Sequence, residues 1–191
     1  MNTNGVLSFG RSFISTSSGG SNFNSVFSPP IIAPFWDDIN INNGGAIYYR
    51  QESDPAVAEQ VLKDISSQYP EAEFFHPSLV FVATWDTVAA FRSDLLGLFN
   101  TFQVTVISNG TWTFVRFSYG DIQWGGQNTL IGISAGDGVN FVKHPASLSS
   151  SVLFLDDTNV TYRIDSKLSS PSLSLVCAYA MKPVNTIQLV S

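Results

Sequence analysis

The stretch 100–119, NTFQVTVISNGTWTFVRFSY, decides the fold class. Two runs dominated by β-branched and aromatic residues flank Asn109-Gly110, a pair that tolerates positive φ, so the segment predicts a β-hairpin with a two-residue type I′ turn. A two-residue loop sets the register: Phe102, Val104 and Val106 stand opposite Phe117, Val115 and Thr113. These six share one face, and that face is expected to be core. The other face pairs Gln103 with Arg116 and Thr105 with Phe114, and ends in Ile107 against Trp112. Its mixed composition predicts a partly solvated surface.

The same texture continues outward from the hairpin. Leu79 to Trp85 (LVFVATW) is apolar on both faces, as a central strand requires, while Ala46 to Gln51 and Leu130 to Ala135 read as shorter strands. Val160, Tyr162 and Ile164 alternate with Thr161, Arg163 and Asp165, the pattern of a half-buried strand. One segment departs from this period. Asp54 followed by Pro55 forms an N-cap and first-turn pair, and Val57, Val61, Leu62 and Ile65 fall on a helical stripe that runs to about Gln68. The expected fold is mainly β, an antiparallel β-sandwich with one short helix packed on its side. The β domain should span 1–165, with 166–191, Ser-rich and then weakly apolar, a linker or weakly ordered tail. Ser15 to Ser28, rich in Ser, Gly and Asn, reads as a long surface loop.

A chain of 191 residues has the size of one domain and can bury a core without crosslinks. Its net charge of -6, with nine Lys plus Arg, argues against nucleic acid, whose binding draws on clustered cations, and against electrostatic docking on anionic membranes. No apolar run approaches the roughly 20 residues of a membrane-spanning helix, and Leu173 to Met181 is too short. Cys177 is the single cysteine, so no intrachain disulfide can form and thiol usage does not indicate a compartment. Met1 to Gly5 lacks the cationic start and apolar run of a secretory signal, and Asn4-Gly5-Val6-Leu7-Ser8-Phe9 already reads as a turn entering a strand.

Candidate chemistry is sparse. His76 and His144 each adjoin a proline and sit in no nucleophile or zinc motif. Gly132 to Gly138 is glycine-rich but lacks the Lys-Ser or Lys-Thr of a phosphate loop, which favours a turn between strands. Asn109-Gly110-Thr111 and Asn159-Val160-Thr161 match the N-glycosylation triplet, and Asn109 lies at the expected hairpin tip. In Ala33 to Asn40, APFWDDIN, Asp37 and Asp38 follow two large aromatics. As neighbours in a strand they would point to opposite faces, so they cannot act together there as the two acids of a hydrolase, which converge across a cleft at about 5 to 10 Å. In a loop they could share a calcium ion with Asn40 or Asn42, or shape a turn by accepting local hydrogen bonds. The structural turn is the favoured reading, with no metal and no cofactor.

The order NGVLSFG, APFWDDINI, GGAIYYRQ, LVFVATWDTVAAF, NTFQVTVISNGTWTFVRFSYGDIQW, IGISAGDG and NVTYRID resembles the NIDO domain, the extracellular module of nidogen found also in alpha-tectorin and membrane-bound mucins. The resemblance covers about residues 4 to 165. It implies an extracellular, secreted place in the matrix or at the cell surface, a non-enzymatic role in cell–matrix adhesion or matrix assembly, and matrix or cell-surface proteins as partners. It transfers no active-site residue. Family members usually carry a strand before the Asn-Gly segment, which this chain is expected to lack. They also tend to close on Gly-x-Trp before Phe-Arg, where this chain has Asn159-Val160-Thr161-Tyr162-Arg163, so its last strand is expected to pack less well. An alternative from a different class is a carbohydrate-binding β-sandwich, in which an exposed Trp112 or Trp124 would stack on sugar.

Overall fold

The structure, a computed structural model, describes residues 1–13, 23–24, 26, 29–165 and 188–189. Among the described residues ten strands and one α-helix follow in chain order: β1 (Leu7–Ser8), β2 (Ile31–Trp36), β3 (Ala46–Gln51), α1 (Pro55–Ser66), β4 (Leu79–Ala89), β5 (Phe99–Ser108), β6 (Trp112–Ile122), β7 (Leu130–Ser134), β8 (Phe141–Lys143), β9 (Asn159–Asp165) and β10 (Gln188–Leu189). They form two antiparallel sheets, one ordered β1-β2-β7-β8 and the other β10-β3-β4-β5-β6-β9. The loop expected over 15–28 lies largely outside the described residues. So does the tail over 166–191, of which Gln188 and Leu189 pair with Tyr49 and Tyr48.

The central hairpin forms, but its loop is longer than two residues. Ser108 pairs with Thr113, Val106 with Val115, Val104 with Phe117 and Phe102 with Tyr119. The register is therefore displaced by two residues from a type I′ hairpin closed at Asn109-Gly110. The cause is local. Asn109 Oδ1 accepts the N–H groups of Thr111 and Trp112, and the Ser108 hydroxyl accepts the Gly110 N–H. Those side-chain acceptors hold a four-residue loop in which Gly110 takes φ 86° and Asn109 stays out of the positive-φ region that type I′ demands. Because the displacement is even, every side chain keeps its face. Phe102, Val104, Val106, Val115 and Phe117 are all buried, and with Trp85 and Ile47 they meet Ile32, Phe35, Ile131 and Ile133 of the other sheet in the main core.

On the opposite face of the hairpin Gln103, Trp112 and Arg116 stay partly solvated, as expected, while the rest of the face is covered. Ile107 and Phe114 are fully buried, because α1 and the turn after it lie across them: Ile65, Ala72 and Phe75 complete a second core with Val80 and Val82. Asp54 Oδ1 accepts the Ala56 N–H and Pro55 opens the helix, as the cap pattern required. Arg116 then ties the helix to β6 through a 2.7 Å bond to Asp64. In β9, Tyr162 packs edge-on against Phe117, yet its hydroxyl is buried with no hydrogen-bond partner among the described residues. Desolvation pushes that phenol up to about 12.

The NTFQ motif resolves into four structural tasks. Asn100 is completely buried. Its Nδ2 donates to the Trp124 carbonyl while its Oδ1 accepts the N–H groups of Gln123 and Trp124. Thr101 Oγ1 accepts the N–H of Thr87, a residue with positive φ in the β4 bulge. Phe102 stacks on Trp85 at 5.1 Å and lies 5.2 Å from Phe35, and Gln103 Nε2 donates to Thr84 Oγ1. Asn100 and Thr101 satisfy backbone groups, Phe102 fills core and Gln103 bridges to the neighbouring strand, so the motif is explained by folding alone.

Candidate functional site

The acid pair sits where three loops meet. Phe35 is driven into the main core between Phe102 and Trp124, while Trp36 faces the opposite side of its sheet with Ile31, Ala33 and Leu130. Gly5 approaches this strand so closely that a Cβ would fall 1.9 Å from the Phe35 carbonyl oxygen, at φ +77°, which accounts for glycine in the Asn-Gly segment. With its aromatics anchored on both faces, the chain leaves β2 at Asp37. One Asp37 oxygen accepts the Asp38 N–H at 2.8 Å and the other accepts the Thr129 hydroxyl at 2.5 Å. The Asp38 carbonyl accepts the Phe91 N–H, and Asn4 Oδ1 accepts the Ile39 N–H. Burial first, and the neighbouring Asp37 carboxylate second, raise the Asp38 carboxyl above the usual range. Asp37 and Asp38 line a cleft of only about 30 Å³ beside Trp124 and Gly125. Among the described residues no three His, Cys, Asp or Glu side chains converge as metal ligands.

A larger concavity lies at the other end of the six-stranded sheet, between α1 and residues 75–80, with a volume of about 820 Å³. Ala58, Leu62, Phe75 and Leu79 supply apolar surface there. Glu52, Asp54, Glu59 and Glu73 stand around it with Lys63. The N–H of Asp54 and then the Arg50 guanidinium hold the Glu52 carboxyl below its usual range. Asp54 caps the helix, whereas Glu59 and Glu73 are exposed and carry no ion-pair partner among the described residues. Phe74, between Glu73 and Phe75, is 80% exposed. Sequence reasoning missed this groove. Its lining comes from three segments whose juxtaposition only the packing of α1 creates.

The remaining site residues scatter. Asn109 and Asn159 are both exposed at opposite ends of the β6–β9 pairing, Asn109 in the loop between β5 and β6 and Asn159 as the first residue of β9, beside Ser118. The two tryptophans that a sugar-stacking surface would use are not available for it. Trp124 is 2% exposed, held by Asn100 and by an indole N–H bond to the Val88 carbonyl. Trp112 is half-buried, and the Arg163 guanidinium lies 4.7 Å from its ring centre. Burial of Trp124 and the cation over Trp112 overturn the expectation of exposed aromatic platforms at these positions.

Comparison with known proteins gives a consistent picture. The family model for the nidogen-like domain, NIDO, matches residues 1–166. The chain is 29% identical to mouse alpha-tectorin over 193 aligned residues, covering 90% of this chain and 9% of that protein. It is 31% identical over 157 residues to the Caenorhabditis elegans dendrite extension defective protein 1, covering 81% of this chain and 13% of the relative. Human nidogen-1 aligns at 31% identity over 94 residues, 46% of this chain and 8% of the relative. The chain thus spans about a tenth of the length of these relatives. No solved structure matches it.

Proposed function

The chain belongs to the nidogen-like domain family, and from that membership we propose that it acts as a non-enzymatic extracellular module in cell–matrix adhesion or matrix assembly. The observation that carries this reading is the family match along residues 1–166, with alpha-tectorin and nidogen, both extracellular matrix proteins, among the relatives. The structure supplies a supporting argument. The most distinctive motif residues, Pro34 to Trp36 and Asn100 to Gln103, are taken up in core packing and in hydrogen bonds within the domain. What such a domain offers a partner is its surface. Among the described residues no helix is long and apolar enough to cross a membrane.

The experiment is a solid-phase assay with the 191-residue chain, secreted from eukaryotic cells and immobilised. Saturable capture of matrix components from a basement-membrane extract, or cell attachment above an albumin control, is the expected result. Neither capture nor attachment, together with reproducible sugar binding on a glycan array, would replace it with the carbohydrate-binding alternative.

A further inference from the structure

The groove between α1 and residues 75–80 joins an apolar floor to an anionic rim, and this combination selects a class of partner. We infer that it binds a short extended peptide segment of a partner protein, one that presents an aliphatic side chain flanked by Lys or Arg. This rests on the reading of the domain as a binding module and names the chemistry of its partner.

Three observations lead there. First, the volume of about 820 Å³ falls within the roughly 300 to 1,000 Å³ of sites that engulf a small ligand, which suits the side chains of a few residues and not a folded domain. Second, Ala58 and Leu62, both half-buried over a floor of buried Phe75 and Leu79, offer an aliphatic side chain a surface on which to leave water. Third, four carboxylates border the groove with Lys63, and with Glu52 paired to Arg50 a third of the chain's net charge of -6 is still gathered around it. Glu59 and Glu73 are the exposed members without an ion-pair partner among the described residues, and they can accept a cation without first breaking a native pair. Such a rim attracts Lys and Arg during encounter and repels phosphate-bearing partners, including nucleic acid and anionic lipid. A divalent ion is not favoured, because the carboxylates do not converge.

The test uses the full 191-residue chain and two fluorescein-labelled probes, an alternating Lys-Leu octapeptide and its Glu-Leu counterpart, each also made with a benzophenone for photocrosslinking. Anisotropy should show saturable binding of the Lys-Leu peptide alone, weakened by salt. The double variant Glu59→Lys/Glu73→Lys should bind about tenfold more weakly with an unchanged melting temperature, since both side chains are exposed. Crosslinks should map to residues 52–80. Equal binding of the two peptides, no binding up to about 1 mM, or crosslinks elsewhere would overturn the inference. If the wild type fails in cell attachment and matrix capture, the module reading itself goes. If it succeeds there while ignoring the Lys-Leu peptide, only the groove assignment goes.

Discussion

The Tyr119 hydroxyl donates a 2.8 Å hydrogen bond to the Pro34 carbonyl, tying β6 of one sheet to β2 of the other inside the main core. Pro34 lies where the β2–β7 register slips between Ala33 and Trp36, so its carbonyl falls in the irregular part of the ladder. Burial of that phenol first, and the nearby Tyr162 second, hold its ionisation well above the ordinary tyrosine range. Tyr119→Phe preserves ring packing and leaves a buried carbonyl without this donor, so it should cost about 1 to 3 kcal/mol in urea unfolding. A loss within error of zero would mean that water replaces the hydroxyl.

Asn100 bears more. Its amide makes three bonds, two of them buried, that fix Gln123 and Trp124. Asn100→Ala strands two donors and one acceptor, and a loss of at least about 3 kcal/mol is expected. Near-ultraviolet circular dichroism should show Trp124 losing its fixed environment in the same variant. An unperturbed tryptophan signal would contradict the clamp.

For the acid pair, the geometry supports a role in shaping the turn. Asp37→Ala removes acceptors from the Asp38 N–H and the Thr129 hydroxyl and should lower stability by about 1 to 3 kcal/mol. The melting temperature of wild type, Asp37→Ala and Asp38→Ala should be indifferent to calcium and chelator. A calcium-dependent rise abolished by either substitution would promote a metal site instead.

Acid sensitivity should be traceable to the turn before β8. Asp137 accepts the Asn140 side-chain amide and the N–H groups of Asn140 and Val139, and these hold its carboxyl at about 2. A carboxyl depressed in the folded state contributes stability that is fully present above its unfolded value, 3.8, and is lost as pH falls through about 2. Between about pH 4 and 2 the wild type should therefore lose urea resistance more steeply than Asp137→Ser. Parallel profiles would remove Asp137 from the account.

Glycosylation is expected at Asn109 in the secreted chain, with Asn159 as the second acceptor. The Asn109 Oδ1 is engaged in its loop, and the amide nitrogen that a glycan would occupy belongs to an exposed side chain. Treatment with an N-glycosidase should reduce the mass of the wild type, and Asn109→Gln should remove one glycan's worth. An unchanged mass on enzyme treatment would show that neither triplet is used.

The sequence by itself determined which residues face inward along each strand, because period-two alternation is a local property that survives errors in pairing. The displaced hairpin register left Phe102, Val104, Val115 and Phe117 in the core for that reason. It also determined the helix, since the Asp54 cap, Pro55 and the apolar stripe act within a few residues of one another. The loop length at Asn109 was less legible. There the side chains of Ser108 and Asn109 competed with the backbone turn and won. Tertiary structure alone decided that α1 covers Ile107 and Phe114, that Trp124 is buried beneath Asn100, and that Glu59, Glu73 and Phe75 come to border one groove. Each depends on how separate segments pack against one another, and no local pattern records which surfaces will meet.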